Sequence, residues 1–145
     1  RLVMAGGAGD VDSEVLGRIE RAGNIEWLGF VDEAEKFELL ARCIAVVFNG
    51  HSEDFGIVPI EANASGKPVL ARNEGFPGLF VTEANGRLHD GTAGSIQRSI
   101  SELAEKNFTV DPEQHVSRFS IDTFSERTRD AIADWHANLQ RRVRQ

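Results

Sequence analysis

The chain has 145 residues, a formal net charge of -7, 41% apolar residues and one cysteine, Cys43. Such a length can bury one core without disulfides or metals. The acidic balance argues against a nucleic-acid partner, which needs a basic surface to displace counterions. No apolar run approaches the roughly 18 residues of a membrane span, and the first residues lack a signal-peptide pattern. A lone cysteine among apolar neighbours reads as a core residue in a reducing, cytoplasmic setting, with peripheral association at the cytoplasmic face of a membrane left open.

In chain order, RLVMAGG is an apolar run ending in glycine, as a buried parallel strand is when it opens at its carboxyl end. A chain that starts inside a strand reads as a piece of something longer. VDSEVLGRIERAG places Val15, Ile19 and Ala22 at helical spacing, with Asp12 or Ser13 as cap. NIEWLGF follows as a short strand. DEAEKFELLARC then offers Asp32 and Glu35 in capping-box spacing, with Phe37, Leu40 and Ala41 as its buried face. CIAVVFN reads as a strand covered on both faces, and KPVLA and NGRL as two more.

The remainder is helical. TAGSIQRSISELAEK carries Ile96, Ile100 and Leu103, and DPEQHVSRF has Asp111 as cap and Pro112 at the first position. From Ile121 onward, Ile121, Phe124, Thr128, Ile132, Trp135 and Leu139 fall on one stripe, which predicts a long docked helix frayed at QRRVRQ. Strands alternating with helices at this spacing predict one α/β domain over residues 1–145, with a doubly wound, Rossmann-like parallel sheet.

In an open parallel sheet, ligands lie beyond the carboxyl ends of the strands. AGGAGD (with Gly6), LGFVD and FNGHSEDFGIVP all end strands with glycine-bearing loops, and are expected to converge on one cleft. Phe55-Gly56-Ile57 leads into a helix with Pro59 in its first turn. N–H groups at such an end attract phosphate, and Gly56 lets a ligand approach the backbone.

Glu53 and Glu61 would repel a phosphate, but each can accept paired hydrogen bonds from neighbouring hydroxyls. Their spacing suggests sugars on both sides of a diphosphate, which describes a nucleotide sugar. A plainer reading makes Glu61 only a favourable charge in a helix's first turn. His51, and Asn73 with Glu74, are further candidates to line the pocket. Lys67 lies in a loop before a strand, away from the cleft. Trp27 and Trp135 read as core, and His89, His115 and His136 lack metal-ligand spacing.

Taken together, SEDFGIVPIEANASGKPVLARNEG resembles the signature of the retaining glycosyltransferases of family 4, which have the GT-B fold: a glutamate, seven residues, a second glutamate, then Ala64-x-Gly66-x-Pro68-Val69. The likeness extends from LVMAGG through WLGFVDEAEKFELLARC to NGRLHDG. It implies the C-terminal, donor-binding half of such an enzyme, transferring a hexose from GDP-mannose or a UDP-hexose with retention and no catalytic metal or cofactor. Glu61 would hold the ribose hydroxyls, and Glu53 would lie against the hexose near the reacting centre. The amides of Phe55, Gly56, Ile57 and Val58 would contact sugar and diphosphate. Gly29, Phe30 and Val31 would lie against the base.

The family's arginine-lysine phosphate clamp and its acceptor domain would precede Arg1, so the resemblance implies that these residues alone transfer nothing. A glycan or lipid-linked acceptor would be read by that domain. Within the motif, Gly50 stands where serine is common, Asn63 where methionine is, and Leu79 where a glutamate is, while Phe76-Pro77 interrupt the flexible glycine pair. Rival readings are a non-catalytic nucleotide-binding or interaction module and a nucleotide-sugar epimerase.

Overall fold

The computed structural model describes residues 1–6, 12–51, 54–105 and 108–143, and divides into two compact units, Arg1–Arg42 and Cys43 onward. Its class is α/β with parallel strands, as the alternation predicts.

In the first unit, β1 (Leu2–Ala5) and β2 (Ile25–Gly29) pair in parallel from Leu2 opposite Ile25 to Ala5 opposite Gly29, with a register shift after Met4. Between them runs α1 (Ser13–Ala22), capped by Asp12, which accepts the Glu14 N–H at 2.8 Å. α2 (Glu33–Arg42) begins at Asp32, whose carboxylate accepts the Glu35 N–H at 2.8 Å, one half of the expected capping box. Ile19 and Leu40 are buried as predicted, whereas Val15, Ala22, Phe37 and Ala41 are exposed. A two-stranded sheet gives each helix only a narrow strip to cover, so one residue per helix is enclosed. β1, expected to be buried, is mostly exposed on the same account.

The second unit is built on a parallel sheet in the order β3 (Val46–Phe48), β4 (Val69–Arg72), β5 (Gly86–His89). Val46, Val47 and Phe48 lie opposite Val69, Leu70 and Ala71. Those three β4 residues are fully buried, while Val47 of β3 is exposed. The two-sided burial expected of CIAVVFN therefore belongs to β4, because β3 is the edge. β4 and β5 approach so closely that a Cβ on Gly86 would lie 2.2 Å from the Val69 carbonyl oxygen.

α3 (Ile57–Ala64) follows β3, and α4 (Gly75–Phe80) follows β4. α3 turns Pro59, Ala62 and Asn63 inward. Asn63, at a position where the family favours methionine, is fully buried and satisfied: its amide donates to the Lys67 carbonyl at 2.9 Å and the Asn85 carbonyl at 3.2 Å, and its oxygen accepts from the Asn85 amide at 2.9 Å. Asn85 also donates to the Phe80 carbonyl and accepts from the Thr82 N–H and hydroxyl. Two buried amides thus join α3 to the turn before β5.

α5 (Ala93–Glu105) buries Ser95, Ser99 and Leu103 and turns Ile100 outward, so small side chains occupy part of the face predicted for isoleucines. α6 (Pro112–Val116) is capped by Asp111 as expected, and a 3-10 turn (Ser117–Phe119) leads to α7 (Ile121–Val143), about 35 Å long at 1.5 Å per residue. The stripe predicted for α7 forms but is not enclosed: Ile121, Phe124, Ile132 and Trp135 are each at least 60% exposed. These side chains line an open apolar groove with Phe55, Ile57, Ile60 and Phe119. Trp135 is therefore not a core residue.

At the end of β5, His89 is 2% exposed; its Nδ1 accepts the Gly91 N–H at 3.0 Å, and its Nε2 meets no partner among the described residues. Burial, helped by the Arg72 charge and opposed by Asp90, lowers its pKa from the usual 6.5. The unfolded chain consequently takes up this proton first.

Two stability predictions follow from this packing. Asn85→Ala strands the Asn63 oxygen, the Phe80 carbonyl and the Thr82 N–H, and should cost about 3 kcal/mol in urea denaturation. For His89, stability is complete above pH 6.5 and falls as pH drops from 6.5 toward its lower folded-state value. His89→Gln should flatten the stability profile between pH 6.5 and about 5, a window above ordinary carboxylate titration.

Candidate functional site

The loops at the carboxyl ends of β3 and β4 carry most of the candidate residues. Leaving β3, the chain passes Gly50, where a Cβ would lie 2.7 Å from the Phe48 ring. That ring explains why glycine replaces the serine common in the family. Next comes His51, exposed, with its Nδ1 2.8 Å from one carboxylate oxygen of Glu74. Ser52 and Glu53, the latter expected to be catalytic, lie outside the described residues.

The chain resumes at Asp54 and Phe55 and turns into α3 at Gly56, which is buried and has φ 66° and ψ 94°. A residue bearing a Cβ strains at that φ, so glycine is required for the turn itself. The N-cap glycine offers no side chain to cap the helix, and no charged residue stands in its first turn. The positive end of α3 is therefore not neutralised by its own first residues. Ile57 and Val58 open the helix with exposed side chains, and Glu61, one turn beyond Ile57, is half-buried and engaged in an interaction.

After β4, the Asn73 N–H donates to the His89 carbonyl at 2.9 Å and its side-chain oxygen lies against Gly78. Glu74 stands before α4 and divides its carboxylate: one oxygen faces His51, the other the Arg72 Nε at 3.0 Å. The carboxyl-end rule puts Arg72 on the cleft side of its strand, but sequence reasoning gave it no task, because its neighbours in space are not readable from the chain.

Phe76, the departure from the glycine pair, also acquires a task. Its ring stacks on Phe55 at 4.7 Å between centroids and on Phe80 at 5.4 Å, and Phe119 meets all three rings edge-on at 5.7 to 6.0 Å. The residue just before Gly56 is thus held by the first turn of α4. The β3–α3 loop is fastened to the β4–α4 loop at both ends, by His51 on Glu74 and by Phe55 on Phe76.

In the first unit, Gly6, Gly29, Phe30 and Val31 gather at the carboxyl end of β1 and β2. The Gly6 N–H donates to the Gly29 carbonyl at 2.9 Å, Gly29 has φ 69°, Phe30 is 73% exposed and Val31 is half-buried.

Other reactive side chains stand apart. Cys43 is half-buried, and burial raises its thiol pKa against the smaller pull of the Lys67 charge, which disfavours the thiolate a nucleophile needs. Lys67 precedes β4, at the end opposite to His51 and Glu74, as expected. Among the described residues no three His, Cys, Asp or Glu side chains converge as a metal site, and no helix is long and apolar enough to cross a membrane.

The arrangement resembles known folds over nearly the whole chain. Anabaena HepE, solved with UDP, superposes with a TM-score of 0.74 at 22% identity, covering 91% of this chain and 40% of its own. Sucrose-phosphate synthase of Thermosynechococcus elongatus does so at 0.74 and 20% identity, covering 94% and 39%. In sequence, the chain is 28% identical over 103 residues to alpha-1,3/1,6-mannosyltransferase ALG2 of Dictyostelium discoideum, covering 66% of this chain and 24% of that protein. It is 36% identical over 83 residues to D-rhamnosyltransferase WbpZ of Pseudomonas aeruginosa, covering 54% and 22%. The chain thus spans about a quarter of the length of these curated relatives, and its α/β arrangement matches the C-terminal half of GT-B glycosyltransferases. The model of the group 1 glycosyl transferases matches residues 1–120, and the chain belongs to that family.

Proposed function

We propose that this chain is the donor-binding domain of a retaining glycosyltransferase of family 4, taking a nucleoside-diphosphate hexose without a metal cofactor. The observation that carries the reading is the start of α3: a buried, positive-φ Gly56 leads into a helix with no charge in its first turn, with half-buried Glu61 one turn on. Helix dipole and backbone amides favour the diphosphate there. Glu61 accepts hydrogen bonds from the ribose hydroxyls, and Glu53 addresses the hexose.

Leaving-group charge, rather than nucleophile strength, is the barrier such a site can lower. Preorganised dipoles at the diphosphate stabilise the charge as the sugar departs. The Gly29-Phe30-Val31 segment is assigned to the base of the donor by the family resemblance alone. Names of similar proteins support the class: HepE has been solved with UDP-glucose, and ALG2 and WbpZ are named as mannosyl- and rhamnosyltransferases. The donor is a UDP-hexose or GDP-mannose. The acceptor, a glycan or lipid-linked sugar, is assigned to an N-terminal domain of a longer protein.

Two measurements test this. NMR titration of the chain with UDP, GDP and AMP, without added metal, should show binding of one diphosphate that weakens about tenfold or more in Glu61→Ala, the worth of charge-assisted hydrogen bonds. Equal affinity of the two proteins would contradict the ribose role. In the second, the 145-residue chain mixed with UDP-glucose or GDP-mannose and glycan acceptors should yield no product. Measured transfer would overturn the division of labour.

A further inference from the structure

The carboxyl end of β4 holds a cation that the donor-binding reading does not use. Arg72 has its Nε fixed on Glu74 at 3.0 Å, and Glu74 is fixed in turn by the His51 Nδ1 at 2.8 Å. That ion pair sets the guanidinium beside the Glu74 carboxylate, and its terminal nitrogens make no hydrogen bond among the described residues. Gly91 packs close by: with φ 92°, its missing Cβ would lie 3.5 Å from the guanidinium carbon. The group therefore lies against a carboxylate on one edge, with Gly91 leaving room beside its centre.

Arg118 lies over the rings of Phe80 and Phe119, and Lys67 stands before β4 at the opposite end of the sheet. Meanwhile the two fastenings, His51 on Glu74 and Phe55 on Phe76, hold the start of α3 beside the loop that carries the guanidinium. Glu74 and Phe76 are two residues apart, a step of at most about 7 Å. An anion lying at the start of α3 would thus have a preorganised, half-exposed arginine fork near it, a geometry suited to phosphate oxygens.

We propose that Arg72 is a direct charge partner of the donor diphosphate, with Glu74 and His51 as positioning residues that aim it; this rests on the donor-binding reading above. It would supply, from within these residues, positive charge at the departing diphosphate. Glu74 must be ionised for the aim to hold, which makes its carboxylate a positioning group rather than a sugar ligand.

The test compares the unaltered chain, Arg72→Gln and Glu74→Gln in NMR titrations with UDP, GDP, uridine and guanosine, with amide spectra confirming that each protein is folded. Arg72→Gln should weaken the bound diphosphate about tenfold while leaving its nucleoside unchanged, and Glu74→Gln should do the same to a smaller degree. Salt should also depress diphosphate binding less in Arg72→Gln. Diphosphate affinity unchanged in Arg72→Gln, or nucleoside and diphosphate weakened alike, would overturn the assignment of Arg72 alone. Binding of neither UDP nor GDP by the unaltered chain would remove the donor-binding reading and this inference with it.

Discussion

β4 is the member on which the second unit depends. Val69, Leu70 and Ala71 have no exposed surface, so β3 and β5 must flank the strand and helices must cover it. Full burial fixes its direction and register, and with them where the chain emerges at Arg72, Asn73 and Glu74. The loops from β3 and β5 emerge at the same end because all three strands are parallel. Glu74 bonds His51 across one gap, and Asn73 bonds His89 across the other.

At the amino end of the same strands, the demand is different. The turn before β5 must be held to α3 with no room for a bulky side chain at Gly86, and two buried asparagines do this by satisfying one another and the surrounding carbonyls. Asn63 and Phe76 both depart from the family pattern, and both turn out to have packing partners that suit them. The first is a hydrogen-bonding core residue, and the second is a ring that clamps Phe55. Departures that looked like losses in the sequence are therefore structural substitutions, and they leave the segment around Gly56 braced.

Much of this was legible in the residues. The five strands of the described residues and the helices other than α4, whose segment reads as a loop, were readable from apolar runs and capping positions, and the glycine at 56 and the proline at 59 marked the start of α3. What periodicity could not supply was the width of each sheet. Phe37, Ala41 and Val15 fall on helical faces that a two-stranded sheet does not reach, and Val47 falls on an edge. The stripe of α7 was read correctly as a stripe and wrongly as enclosed, because amphipathicity shows that a face is apolar and says nothing of what lies against it. Arg72 was placed at the cleft side of its strand by the carboxyl-end rule but given no task, because sequence does not show that Glu74 pairs with it or that Gly91 lies beside it.

In the proposed function, the start of α3 receives the diphosphate of a nucleotide with Glu61 beside its ribose. A crystal structure of the chain with UDP or GDP bound tests it most directly. The account predicts phosphate oxygens within hydrogen-bond distance of the amides that follow Gly56, and both ribose hydroxyls within reach of the Glu61 carboxylate. A nucleotide seated elsewhere, or one whose ribose turns away from Glu61, would contradict it.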